Sequence, residues 1–192
     1  MKREQMIEKV KAQMPERRWL HTQGVMDTAI LLAKRFGEDP VRAELAAILH
    51  DVAKYWPTGR MEEMIRDKNL PSELLLYDKE LWHAPVGAWV AEHEYGVTDT
   101  DVLNAIRYHT SGRREMSKLE KIVCLADYME PGRDFPGVNI IRELSEQHLE
   151  QALLAGFNST ITFLLEKGKR IFPLTIEARN ALLESNNTIT GG

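Results

Sequence analysis

The sequence predicts an all-α fold, a single-domain helical bundle, and three observations carry that expectation. Apolar residues recur at helical spacing in nearly every segment between glycine and proline punctuation, and no segment alternates as a half-buried strand would. Helix-capping residues stand at several segment boundaries. The 192 residues, 43% of them hydrophobic, suffice for one domain with a core of its own.

Taken in order, the spacing predicts helices over about 3–14, 18–36, 40–54, 59–67, 72–77, 84–94, 99–109, 117–129, 140–168 and 175–184. The second stops before Gly37 and the sixth before Gly96. Asp39-Pro40 opens the third with an N-cap and a proline in first position, and Thr98-Asp99 and Ser117 cap later ones. No internal repeat or low-complexity linker divides the chain. Residues 1–185 are therefore expected to form one domain, and NNTITGG, 186–192, a disordered tail.

Composition narrows the function. The opening MKREQMIEKVKAQM lacks the continuous apolar stretch of a signal peptide, and no segment nears the roughly 20 apolar residues that span a bilayer. The expectation is a cytoplasmic protein with no membrane partner. Cys124 is the only cysteine, so no intrachain disulfide can form. A net charge of -4 argues against a nucleic-acid partner but leaves room for a small phosphorylated ligand held by local basic residues. Trp and Met positions would serve a homodimer surface, although the same residues at helical spacing also fill cores.

The stretch AAILHDVAKYW, residues 46–56, sets His50-Asp51 on what reads as the buried face of a helix. Other metal-competent residues, His21, His83, His109 and Asp127, lie in or beside separate helices. Val102, Ile106 and His109 share one stripe, so His109 points inward, and Asp127 lies beside Val123 next to the apolar stripe of its helix, near the core. A buried carboxylate must neutralise, pair with a cation or bind a metal. Singly, each of these residues reads as an ordinary core group or cap. Gathered on separate helices of one bundle, they favour a metal centre. His93, in AEHEYG, and His148, in SEQHLEQ, sit among polar residues and read as structural or solvated, while Cys124 reads as a small core hydrophobe.

His21, His50-Asp51 and Asp127 resemble the H…HD…D signature of the HD-domain metal-dependent phosphohydrolases, which are all-helical. More narrowly, LHTQGVMDTA, LHDVAKY, LWHAPVGAWV, RYHTSGR, LADYMEPGRDFPGV and TIEARNALL are similar, in order, to the YqeK-type bacterial symmetrical diadenosine tetraphosphatases. This resemblance implies a dinuclear site, iron foremost, that splits diadenosine tetraphosphate into two ADP. Asp51 would bridge, with His21, His50 and Asp127 about one ion and His83 and His109 about the other. The mixed nitrogen and oxygen set equally suits manganese, cobalt or zinc. Two ions about 3.5–4 Å apart could hold a deprotonated water between them for in-line attack on an inner phosphorus.

Cationic residues for the phosphates accompany the ligands. Arg18 precedes His21 by nearly one turn, Lys54 follows His50 at i+4, and Arg133 follows Asp127 through MEPGR, whose Pro-Gly lets the chain turn back. Asp51, Lys54 and Arg133 are the expected catalytic residues. Arg18, Lys54, Thr110 beside His109, and Arg133 are expected on the substrate. The resemblance adds Lys169, Arg170 and Thr175 in KGKRIFPLT, otherwise a basic turn between helices. The expected ligands are a dinucleoside polyphosphate and an ADP- or GDP-like product. The alternatives are an HD-type phosphohydrolase of nucleoside mono- or triphosphates, which leaves His83 and His109 unexplained, and a non-catalytic nucleotide sensor. An HD-GYP phosphodiesterase would need a GYP sequence, which is absent.

Overall fold

The computed structural model describes residues 1–189, with side chains through Glu184. The described residues form α1 (Arg3–Lys11), α2 (Glu16–Phe36), α3 (Pro40–Leu49), α4 (Thr58–Asp67), α5 (His83–Tyr95), α6 (Thr100–Tyr108), α7 (Lys118–Met129), α8 (Val138–Leu144), α9 (Leu149–Glu166) and α10 (Pro173–Ile189). Two 3-10 turns, Ser72–Leu76 and Lys79–Leu81, lie between α4 and α5, and no strand occurs among these residues. The all-α expectation is met. Of the expected tail, 186–189 fall within α10, and 190–192 lie outside the described residues.

α7 is the centre of the bundle, packing against α2, α3, α6, α8 and α9. Leu119, Ile122, Val123, Cys124, Leu125 and Ala126 are all fully buried, so this helix is apolar around nearly its whole circumference, as an enclosed helix must be. α2 and α3 cover one side of it, and α5 and α6 pack together beyond. The caps fall where they are expected: Asp39 accepts from the Val41 amide, Asp99 from those of Asp101 and Val102, and Ser117 from that of Glu120. Trp19, Trp56 and Trp82 are buried, so they fill the core and not an exposed contact surface. No helix is long and apolar enough to cross a membrane among the described residues.

Three elements differ from their sequence expectation. The segment 72–77 is a 3-10 turn after Pro71, not an α-helix. The expected helix 140–168 is two helices, broken at Ser145–His148, where the His148 amide returns to Leu144 O at 2.8 Å and α9 restarts at Leu149. α3 stops at Leu49 instead of running through His50-Asp51 to 54. The cause is local: His50 Nδ1 donates to Ala47 O at 2.6 Å, the carbonyl the helix ladder would offer to the Asp51 amide. The chain continues in tight turns, Val52 N to Leu49 O and Lys54 N to Asp51 O. α6 ends in the same way, with His109 Nδ1 on Ile106 O at 2.8 Å. Gly112 follows with φ +63, and a Cβ there would meet Phe157 Cζ at 2.5 Å, so only glycine closes that turn against α9.

Candidate metal centre

The six expected ligands converge around one carboxylate, that of Asp51. It is buried and has imidazoles on both oxygens: His50 Nε2 lies 3.1 Å and His21 Nε2 3.8 Å from Oδ2, while His83 Nε2 lies 3.1 Å and His109 Nε2 3.9 Å from Oδ1. Asp127 Oδ1 lies 3.0 Å from His21 Nε2, on the Oδ2 side. α2 contributes His21, the end of α3 His50 and Asp51, the start of α5 His83, the end of α6 His109 and α7 Asp127. Two sets bring ligand atoms within 4.8 Å of one another, His21 with His50 and Asp127, and His50 with Asp51 and His109. His50 belongs to both.

Several features fit a cation among these atoms. Both Asp51 oxygens, His50 Nε2 and His21 Nε2 are buried without an aligned hydrogen-bond partner, a costly arrangement for polar groups unless a cation joins them. The Nδ1 of His50 and of His109 is committed to a backbone carbonyl, which leaves the Nε2 lone pairs facing a carboxylate and one another. His83 Nε2 and His109 Nε2 stand 3.2 Å apart. Arg18, expected on the substrate, instead puts its guanidinium on Asp51 Oδ2, and it does not line the neighbouring cleft. A cation is thus drawn to the carboxylate by the protein itself.

The electrostatics follow from burial and from the single shared charge. Burial opposes ionisation of Asp51, but His50 and His83 outweigh it and hold the carboxyl well below its ordinary value. His50 gains: burial disfavours its charge, yet Asp51 raises its pKa. His83 is lowered, mainly by burial. His109 is pushed down to about 3 by burial and by the neighbouring His50 and His83, so it is neutral and able to donate a lone pair. Asp127 is held low, against burial, chiefly by Arg133, whose Nε donates to Asp127 O at 2.7 Å and whose terminal nitrogen meets Oδ1.

A cleft of about 880 Å³ opens over His109 and Asp127. Lys54, Thr110, Arg133, Lys169, Arg170 and Thr175 all line it. Two of the lysines are already engaged: Lys54 Nζ with Glu80 at 2.7 Å and Lys169 Nζ with Asp78 at 2.7 Å. Arg170 donates to Leu76 O at 3.1 Å. The remaining histidines lie apart. His93 is exposed and stacked on Trp89 at 4.0 Å, and His148 is exposed before α9. Cys124 is fully buried, and burial pushes its thiol pKa up, against nucleophilic use.

Sequence reading missed Glu130, which is 3% exposed and sets Oε1 3.0 Å from His21 Nδ1. It also missed Asp78 and Glu80, the carboxylates that hold the cleft lysines. No spacing rule links these residues to their partners, which lie 109, 91 and 26 positions away.

Residues 18–132 match the HD domain family. The chain is 49% identical over 186 residues to a Bacillus subtilis protein named bis(5'-nucleosyl)-tetraphosphatase, symmetrical, covering 97% of this chain and 100% of that one. A Halalkalibacterium halodurans protein of the same name is 48% identical over 183 residues, covering 95% and 98%. Among solved structures, one from Clostridium acetobutylicum, described as a predicted HD superfamily hydrolase involved in NAD metabolism, superposes with a TM-score of 0.92 at 39% identity over 96% of this chain and 98% of that one.

Proposed function

The chain belongs to the HD domain family, alongside symmetrical bis(5'-nucleosyl)-tetraphosphatases, and from that premise we propose that it hydrolyses diadenosine tetraphosphate to two ADP at a metal centre built on Asp51. The observation that carries the reading is the buried Asp51 carboxylate with an imidazole Nε2 3.1 Å from each oxygen. One carboxylate can then serve two cations, iron in this reading, with His21, His50 and Asp127 on one side and His83 and His109 on the other. All six donors come from one chain, so the centre is complete without a second copy. We place the reaction in the cytoplasm.

Bound there, divalent metal supplies Lewis acidity, neutralising phosphoryl charge and acidifying water near neutral pH. The protein's own groups do the rest. Arg133, fixed on Asp127, presents a guanidinium to the cleft and counters charge on the phosphates. Lys54 and Lys169 exchange Glu80 and Asp78 for phosphate as the substrate enters. The hydroxyls of Thr110 and Thr175 line the same cleft and offer neutral hydrogen bonds. Arg18 offsets the Asp51 carboxylate from within the fold. Water adds across the central P–O–P linkage, so each half of the substrate leaves as ADP. The volume, near the upper end of about 300–1,000 Å³ for small-molecule sites, suits a dinucleotide better than a mononucleotide.

The test is resolution of early products from diadenosine tetraphosphate, using protein of measured metal content. Two equivalents of ADP are expected. ATP with AMP would mean asymmetric cleavage, and phosphate release from a nucleoside monophosphate with no dinucleotide turnover would favour the mononucleotide alternative. Binding without turnover in metal-loaded protein would leave a sensor.

A further inference from the structure

The imidazoles of this centre are aimed by two different devices. His50 and His109 each stand at the C-terminal end of a helix and give Nδ1–H to the carbonyl three residues back, Ala47 O and Ile106 O. His21 lies inside α2, where the backbone carbonyls serve the helix ladder, so its Nδ1 needs an acceptor from elsewhere. Glu130, at the C-terminal end of α7, reaches across to it, with Oε1 3.0 Å from Nδ1 and Oε2 accepting the Gly132 amide at 2.6 Å. Two glycines make room for that carboxylate. A Cβ on Gly24, one turn along α2 from His21, would stand 2.6 Å from Oε2, and one on Gly132 would stand 3.1 Å from both oxygens.

We infer that Glu130 is a positioning residue that fixes His21 in the Nδ1–H tautomer and so leaves the Nε2 lone pair for a metal ion. The inference rests on the metal-centre reading of His21. The carboxylate faces two donors, the His21 Nδ1–H and the Gly132 N–H, and accepts from both. Glutamine has one acceptor and one donor. In Glu130→Gln, either a side-chain N–H faces the Gly132 N–H, or the amide turns and His21 moves its proton to Nε2, losing the ligand atom. Carboxylates that orient metal-bound histidines typically carry about 10- to 100-fold in metal affinity.

The test has two parts. Nitrogen NMR of metal-free wild-type protein labelled at histidine reads the His21 tautomer, assigned by the signal lost in His21→Asn. A proton on Nδ1 is expected, and an unprotonated Nδ1 would overturn the inference whether or not any variant folds. Titration with Co2+ then compares wild type with Glu130→Gln. A 10- to 100-fold weaker affinity with unchanged helical circular dichroism is expected. Equal affinity in the two proteins would overturn the inference and leave the metal-centre reading intact. Wild-type protein that binds no Co2+ at all would overturn that reading, and the inference with it.

Discussion

The two sides of Asp51 share one carboxylate but differ in almost everything else. On the Oδ2 side lie His21, His50 and a second carboxylate, Asp127, with Arg133 and Glu130 holding that set in place. The Oδ1 side has His83 and His109, both buried and both lowered in pKa, with no carboxylate of their own. A divalent cation on the Oδ2 side would meet two nitrogens, Asp127 and its share of Asp51. One on the Oδ1 side would meet two nitrogens and its share of Asp51 alone, so its charge would be less compensated and more of its coordination left for water or phosphate. In the proposed centre the first side would hold its cation and the second would present one to the substrate.

The severest way to break the comparison is Asp51→Ala, which removes the carboxylate that the two sides share. It should abolish metal binding on both and lower turnover by orders of magnitude, with helical circular dichroism retained. Metal-free, fully active Asp51→Ala protein would sink the whole account. His83→Ala and His109→Ala should next lower metal content toward one ion per chain and suppress turnover strongly, because they strip one side only. Arg133→Ala should keep both ions and cost about ten- to a hundredfold in kcat/KM, the worth of a charge-assisted contact of roughly 1.5–3 kcal/mol. Metal analysis alongside kinetics separates that outcome from ligand loss through Asp127.

A smaller effect concerns acid stability of the metal-free protein. His109 titrates at about 3 in the fold but near 6.5 when unfolded, so between those values the unfolded chain binds the extra proton. Stability contributed by this group therefore falls as pH is lowered from about 6.5. His50, shifted upward, acts in the opposite sense, and Asp51 and Asp127 lose their stabilisation only as pH falls below the ordinary carboxylate range. Denaturation midpoints of wild type and His109→Asn at pH 7, 5.5 and 4.5 isolate the His109 part. The variant should show the shallower fall, and parallel profiles would contradict the assignment. The smallest effects belong to His93→Ala and His148→Ala, which should change stability by no more than about 0.5 kcal/mol and leave metal content unchanged.

Much of this was legible because ligand chemistry and helical spacing are local signals. The HD pair and the inward His109 could be read from a few neighbouring residues, and Asp39, Asp99 and Ser117 announced their helices. What spacing could not show was a side chain overriding the backbone: His50 takes a carbonyl from its own helix, so α3 stops where the apolar pattern runs on. The break at Ser145–His148 was hidden for a related reason, since Leu144 and Leu149 keep the apolar pattern across it with no glycine or proline to mark it. Arg18 was expected to face the substrate because one-turn proximity to His21 was all that spacing could tell. Its turn toward Asp51 depends on the α2 and α3 packing. Glu130 needed the tertiary approach of α7 to α2.

The most direct test of two unequal sides joined by Asp51 is a calorimetric titration of Mn2+ into metal-free protein, repeated for His21→Ala and His83→Ala. The account predicts two binding events in the wild type, the tighter lost in His21→Ala and the weaker lost in His83→Ala. A single event in the wild type, or the same event lost in both variants, would contradict it.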